Sequence, residues 1–296
     1  MKVLSIVLAI GSLAAAAIAA DTRVVIVVGP SNHPPGTHEV AAGGRLIQWA
    51  LGNMRNVPGI KAEVFYEWPK DKNVLNTANA IVFMGDTFPP QRMPDTATTL
   101  SELGKLMDRG VGLACIHYST GLRAQDVEPS GAHPLLEWMG GYFATGTPHH
   151  KSVAKVFQQV SIRPAAARHP VSRGWKEFVL DDEPYYNNYF GPQGNTPQKG
   201  VTAFATAMLP PEAPKSEVVS WGIERKDRGR GFAIVMPHFY KNWANEDLRR
   251  FILNGIVWSS KRKVPKEGVV TPAPELAKFG PASIEPKPRT PAAAKP

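Results

Sequence analysis

Gly110-Val-Gly-Leu-Ala-Cys-Ile-His-Tyr-Ser-Thr120 begins as one kind of sequence and ends as another. Leu113 to Ile116 is a short, uncharged apolar run introduced by Arg109-Gly110. That pattern suits a central parallel strand covered on both faces. Polarity then changes abruptly at His117, Tyr118, Ser119 and Thr120. These residues fall where an open α/β sheet gathers its ligands, in the crevice beyond the carboxyl ends of its strands.

Working outward toward the amino terminus, Val24 to Val28 is a β-branched run that stops at Gly29-Pro30, so it is expected to be the first buried strand. A polar loop from Ser31 to Glu39 follows, then a stretch from Val40 to Arg55 whose apolar residues recur at helical spacing. Ala62 to Glu67 alternates as a second strand, and Ala80 to Met84 is a third, ending at Gly85-Asp86. Thr98 to Arg109 spaces Leu100, Leu103, Leu106 and Met107 as an amphipathic helix. This strand-helix rhythm argues for an α/β fold with a doubly wound, mostly parallel sheet, right-handed crossovers and helices on both faces.

Beyond Thr120, His133 to Gly141 reads as a short helix closed by glycine. Further strands are expected at Val153 to Ile162, Phe178 to Asp181, Val201 to Met208, Val218 to Glu224 and Gly231 to Met236. The turn Lys226 to Gly231 is glycine-rich but leads into a strand, which makes it a hairpin and not a phosphate loop. Asn245 to Ser259 closes the domain as a helix, capped by Asn245 or Asn242.

Composition bounds the rest. Met1 to Ala20 has a lysine, an apolar centre and a small-x-small site, the plan of an export signal whose removal leaves no membrane span. The expected location is periplasmic or secreted. Cys115 is the single cysteine, so no intrachain disulfide forms, and a small buried thiol is its natural role. Residues 261–296 carry five of the nine formal positive charges together with eight prolines. That segment is expected to be a disordered, solvated tail. The folded part, 21–260, is then close to neutral, which argues against nucleic acid as a partner despite a pI near 9.6. Oligomeric state is left open.

Most of the eight histidines fall in loops at strand ends: His38 after the first strand, His117 after the central one, His149 and His150 in a long loop, His238 after the last strand. Asp182 and Glu183 follow another apolar stretch. Converging imidazoles and a carboxylate give either a metal site with an open position or an acid/base pair. His133 and His169 each precede proline and read as turn residues, and His33, in a Pro/Gly loop, reads as surface. Trp221, Trp243 and Trp258 suit core or rim packing, or stacking on a sugar ring.

Gly36-Thr37-His38, Gly112 to Thr120, Gly140-Gly141-Tyr142-Phe143, Asp182-Glu183-Pro184-Tyr185-Tyr186 and Gly231 to Trp243 resemble, in that order, the ThuA-like family of trehalose utilisation. The likeness spans nearly all of Thr22 to Ser260. It implies a flavodoxin-like sheet similar to the class I glutamine amidotransferases. Glutamine transfer itself is not expected. The elbow that holds a nucleophilic cysteine in those enzymes matches His117, and Cys115 lies two residues too early.

What the resemblance implies is carbohydrate catabolism beside a dehydrogenase that makes 3-keto sugars, and a small-molecule carbohydrate as partner. Carried over, His117, Glu183 and His238 are the catalytic set. His38, His117 and His238 are ligands for a divalent metal such as zinc. His149, Asp182, Tyr185, Tyr118 and Trp243 are substrate contacts. The implied reaction is that of a 3-keto-sugar lyase, hydrolase or isomerase, the alternative being a domain that binds sugar or a partner without turnover.

Overall fold

The computed structural model describes residues 21–288. The expected export signal, 1–20, and the end of the tail, 289–296, lie outside the described residues. The strands are β1 (Thr22–Val28), β2 (Ile60–Phe65), β3 (Ala80–Met84), β4 (Gly112–Ile116), β5 (Gly121–Arg123), β6 (Phe143–Thr145), β7 (Phe157–Pro164), β8 (Phe178–Asp182), β9 (Val201–Leu209), β10 (Lys215–Glu224) and β11 (Arg230–Ile234). The helices are α1 (Val40–Gly52), α2 (Lys72–Asn76), α3 (Thr96–Asp108), α4 (Pro134–Met139) and α5 (Glu246–Ser259).

Nine strands form one sheet in the order β2-β1-β3-β4-β11-β10-β9-β7-β8, and β5 pairs with β6 beside it. The first five of that order run parallel. The remaining four are added antiparallel. The expected mostly parallel sheet is therefore corrected to a mixed one with few helices. Connections explain the change. Helical crossovers return the chain parallel from β1 through β4, whereas the short turn between β10 and β11 can only join antiparallel neighbours.

Helices cover both faces, and one strand demonstrates it. Gly231 and Phe232 are neighbours in β11 and so face opposite sides of the sheet. A methyl group on Gly231 would stand 2.2 Å from the Trp138 carbonyl oxygen of α4, while the Phe232 ring packs under Gly255 of α5. The strands between them are apolar throughout: every residue of β3 and β4 is buried, Cys115 included.

The tail is a second correction. Residues 261–288 run back across the domain as a strap that stays largely exposed but buries Val264, Val269 and Phe279. The Arg45 guanidinium holds the carbonyls of Phe279 and Gly280, and the Glu39 carboxylate accepts the backbone N–H groups of Ala282 and Ser283. Average composition hid this, because three well-spaced apolar anchors and two buried-edge charges suffice to fix an extended chain.

Candidate active site

Register assembles the site. Val28 lies opposite Met84, Met84 opposite Ile116, and Ile234 opposite Ile116, so the carboxyl ends of β1, β3, β4 and β11 form one edge. The next residues of each strand supply the polar groups: His33 and His38 after β1, Asp86 after β3, His117 after β4 and His238 after β11. The loops of His38 and His238 are stitched by an antiparallel bridge between Thr37 and Phe239 and by the His38 N–H donating to the His238 carbonyl at 3.0 Å.

Three ring nitrogens converge. His38 Nε2 is 2.8 Å from His117 Nε2 and 2.9 Å from His238 Nδ1, and His117 Nε2 is 3.2 Å from His238 Nδ1. Glu183 Oε2 lies 3.2 Å from His238 Nδ1. Glu183 arrives from β8, at the far end of the sheet, and buried Asp182 brings it in. One Asp182 oxygen accepts the backbone N–H groups of both Glu183 and His238, each at 2.7 Å, and the other accepts from the Asn242 amide.

The tautomers follow from the outer partners. His117 Nδ1 faces the Val235 carbonyl at 3.0 Å, and His38 Nδ1 faces Asp86 Oδ1 at 2.6 Å, so each Nδ1 carries the proton and each Nε2 presents a lone pair. Burial lowers His38 to about 4 against the pull of Asp86, and burial with the neighbouring imidazoles lowers His117 well below its ordinary value. Both rings are neutral at pH 7, and two lone pairs point at each other. The Tyr185 hydroxyl, 3.1 Å from His117 Nε2, and His238 Nδ1 can each donate to one of the two, yet neither relieves the repulsion between them.

A cation between the nitrogens would relieve it. Nitrogens bound to a tetrahedral zinc at about 2.0–2.1 Å are themselves about 3.3 Å apart, a retreat of a few tenths of an ångström from the observed triangle. His38, His117, Glu183 and His238 together form a four-donor set able to hold a metal. Asp86 supplies the outer support such ligands take. Burial opposes its charge, but hydrogen bonds from the His33 and His38 rings hold its carboxyl well below the usual carboxylate range.

His38 has φ 43° and His117 φ 52°. A non-glycine residue in this left-handed region costs stability and marks a turn that aims a side chain. The elbow at the end of β4 thus carries an imidazole. Cys115 is buried inside the strand, and burial raises its thiol far above the range of a reactive cysteine.

Of the sequence-predicted residues, His38, His117, His238 and Glu183 come together, with Tyr185 and Tyr118 against them. The Tyr185 ring stacks on His117 at 4.6 Å, and Tyr118 meets the His38 ring edge-on. Asp182 is closed to a substrate and acts on the backbone instead. Trp243 is buried beneath the cluster, so it offers no face for stacking. His149 is held by the Tyr142 hydroxyl and packs on Tyr189, with no hydrogen bond or ring contact to the imidazole cluster among the described residues. His133 and His169 cap α4 and the turn at 170–172, each accepting a backbone N–H on Nδ1.

Asp86 and His33 were missed. His33 is not a surface residue: its ring stacks on His38 at 3.5 Å, and its Nδ1 sits 2.8 Å from Asp86 Oδ2. The signal was present, since Asp86 follows a buried strand by the same rule that singled out His117.

The fold and site therefore define a mixed α/β protein in which a buried histidine cluster, not a thiol, occupies the crevice beyond the strand ends. The ThuA family, described as "Trehalose utilisation", matches residues 36–259, and the chain belongs to it. Among solved structures it is similar to a ThuA-like protein from Bacteroides uniformis, 14% identical over 84% of this chain and 95% of that one, with a TM-score of 0.58. A ThuA-like protein from Parabacteroides merdae is 12% identical over 86% of this chain and 98% of that one, with a TM-score of 0.54. A glutamine amidotransferase from Methylobacillus Flagellatus is more distant, 13% identical over 72% of this chain and 69% of that one, with a TM-score of 0.35. No curated protein matches by sequence.

Proposed function

We propose that this is an exported enzyme of carbohydrate catabolism that removes the C2 proton of a 3-keto glycoside. The observation that carries the proposal is the pair of neutral imidazoles, His38 and His117, whose lone pairs meet at 2.8 Å beside a third ring and a carboxylate. Family membership supports the carbohydrate class. A divalent cation such as zinc, held by His38, His117 and His238, would polarise the C3 carbonyl oxygen as a Lewis acid.

The chain's own residues do the remainder. Glu183, oriented through its backbone by Asp182, accepts the C2 proton as the electron pair moves toward C3 and the carbonyl becomes an enolate. Return of that pair expels the C1 substituent, which leaves with the proton Glu183 gives back, and the net result is elimination. Tyr185 keeps its proton, because burial and the nearby Glu183 raise its pKa well above that of free tyrosine, and it serves as a hydrogen-bond donor.

The test is metal analysis of the purified protein followed by incubation with 3-keto-trehalose or a 3-keto-glucoside in deuterium oxide. The expected result is about one bound divalent ion per chain and release of the C1 substituent or deuterium at C2. Glu183→Gln should retain the ion and lose turnover by about 10²–10⁴-fold. Absence of metal together with no turnover by the unaltered protein removes the proposal in favour of a sugar-binding domain.

A further inference from the structure

Beside the cluster, a cleft of about 510 Å³ opens along the loop after β1, with His33 and His38 at its inner end. Its size lies within the roughly 300–1,000 Å³ of small-molecule sites, enough for two linked sugar rings. One wall is apolar, from Val28, Val40 and Ala41, and the rim carries Tyr66. Of the large apolar side chains left exposed among the described residues, Tyr66 is the aromatic one, with 56% of its surface open.

Tyr66 is not loose. Arg45 Nη1 donates to its hydroxyl at 2.8 Å, and the same guanidinium holds the Phe279 carbonyl through Nε at 2.8 Å and Nη2 at 2.6 Å. A single planar fork thus sets the position of the ring and of the C-terminal strap, which also lines the cleft through Ala282. Glu39 fixes the strap from the site side. It accepts the N–H groups of Ala282 and Ser283 and also that of Gly36, two residues before His38. Beyond the strap, Lys287 N–H donates to the Pro35 carbonyl at 2.9 Å. A chain of fixed contacts therefore joins an exposed aromatic ring, a wall made from the tail, and the loop that carries His33 and His38.

We infer that this cleft is a glycoside subsite: Tyr66 is the platform on which the second ring of a two-ring substrate stacks, and the C-terminal strap is its wall. The inference rests on the proposed action of the neighbouring cluster on a glycoside, and it adds where the leaving part of that glycoside lies. An aromatic ring with a free face suits the CH side of a pyranose, and the apolar wall suits its edge. His33, whose Nδ1 is taken by Asp86, lines the same space, and its other nitrogen is left to meet a sugar hydroxyl.

Calorimetric titration of the full chain with trehalose and with methyl α-glucoside tests this without turnover, because neither probe carries a keto group. Trehalose should bind more tightly than the one-ring probe. Tyr66→Ala should weaken trehalose binding about five- to tenfold, with methyl α-glucoside less affected, and Tyr66→Phe should stay within about threefold of the parent. Metal content should be unchanged in both variants. Equal affinity of Tyr66→Ala and the parent for trehalose, or failure of the parent to bind either sugar, overturns the subsite. Sugar binding lost on Tyr66→Ala while 3-keto substrates are never turned over leaves the subsite standing and sinks the reaction alone.

Discussion

Replacing Asp86 by asparagine takes one acceptor from a carboxylate that serves two imidazoles. Oδ2 accepts from the Asn32 N–H at 3.0 Å and faces His33 Nδ1 at 2.8 Å, whereas Oδ1 faces only His38 Nδ1 at 2.6 Å. The amide oxygen is worth more at the Oδ2 position, where two donors meet it, so the amide NH₂ is left facing His38. Two donors cannot bond, and His38 must change tautomer, accepting on Nδ1 and carrying its proton on Nε2. That proton points into the triangle of nitrogens where a lone pair is needed. Loss of an outer carboxylate of this kind typically costs about 10–100-fold in metal affinity, or about 1.4–2.7 kcal/mol. The assay is competition with a chelator of known affinity for Zn²⁺, with turnover of a 3-keto-glucoside measured in parallel and circular dichroism to confirm folding. An Asp86→Asn protein that binds zinc as tightly as the parent would show that His38 does not ligate through Nε2, and the tautomer logic would fail with it.

Other outcomes follow from the same structure. Cys115→Ala should keep turnover within about twofold, since the thiol lies inside a strand, and should cost about 1 kcal/mol of stability for the vacated volume; a dead enzyme that is still folded would return the thiol to the mechanism. Stability should fall as pH drops from about 6.5 toward about 4. Burial holds His133 and His169 near 4 when folded, so the unfolded chain binds more protons in that window. The double variant His133→Asn, His169→Asn keeps a capping side chain without a titrating one, so its urea midpoint should vary less with pH than the parent's; identical pH slopes would refute the assignment. Gly231→Ala would place a methyl 2.2 Å from the Trp138 carbonyl, a backbone atom, and should destabilise by about 1–3 kcal/mol. An unchanged denaturation midpoint would mean that α4 does not press on β11 as described.

The centre of the parallel half was legible because β1, β3 and β4 are buried on both faces and read as uninterrupted apolar runs. Val24 to Val28, Ala80 to Met84 and Leu113 to Ile116 all lie within observed strands. The antiparallel half was found as strands but not as an arrangement. Alternation in Val201 to Met208 tells which face is inside and says nothing of which neighbour pairs or in what direction. The chosen imidazoles met because histidines in loops after parallel strands share one edge by construction. Asp86 obeys the same rule, but a lone aspartate after glycine is equally compatible with a plain turn. Trp243 shows the opposite failure: an aromatic near a polar motif can lie under it as well as over it, and sequence spacing does not distinguish depth.

The left-handed backbone at His38 and His117 has a consequence for how this chain can change. Glycine would hold those two bends at lower conformational cost, so a sequence drifting toward ease of folding alone would lose both imidazoles there. Thermal robustness and the proposed chemistry thus pull in opposite directions at the same two positions: His117→Gly should melt higher than His117→Ala while being equally inert.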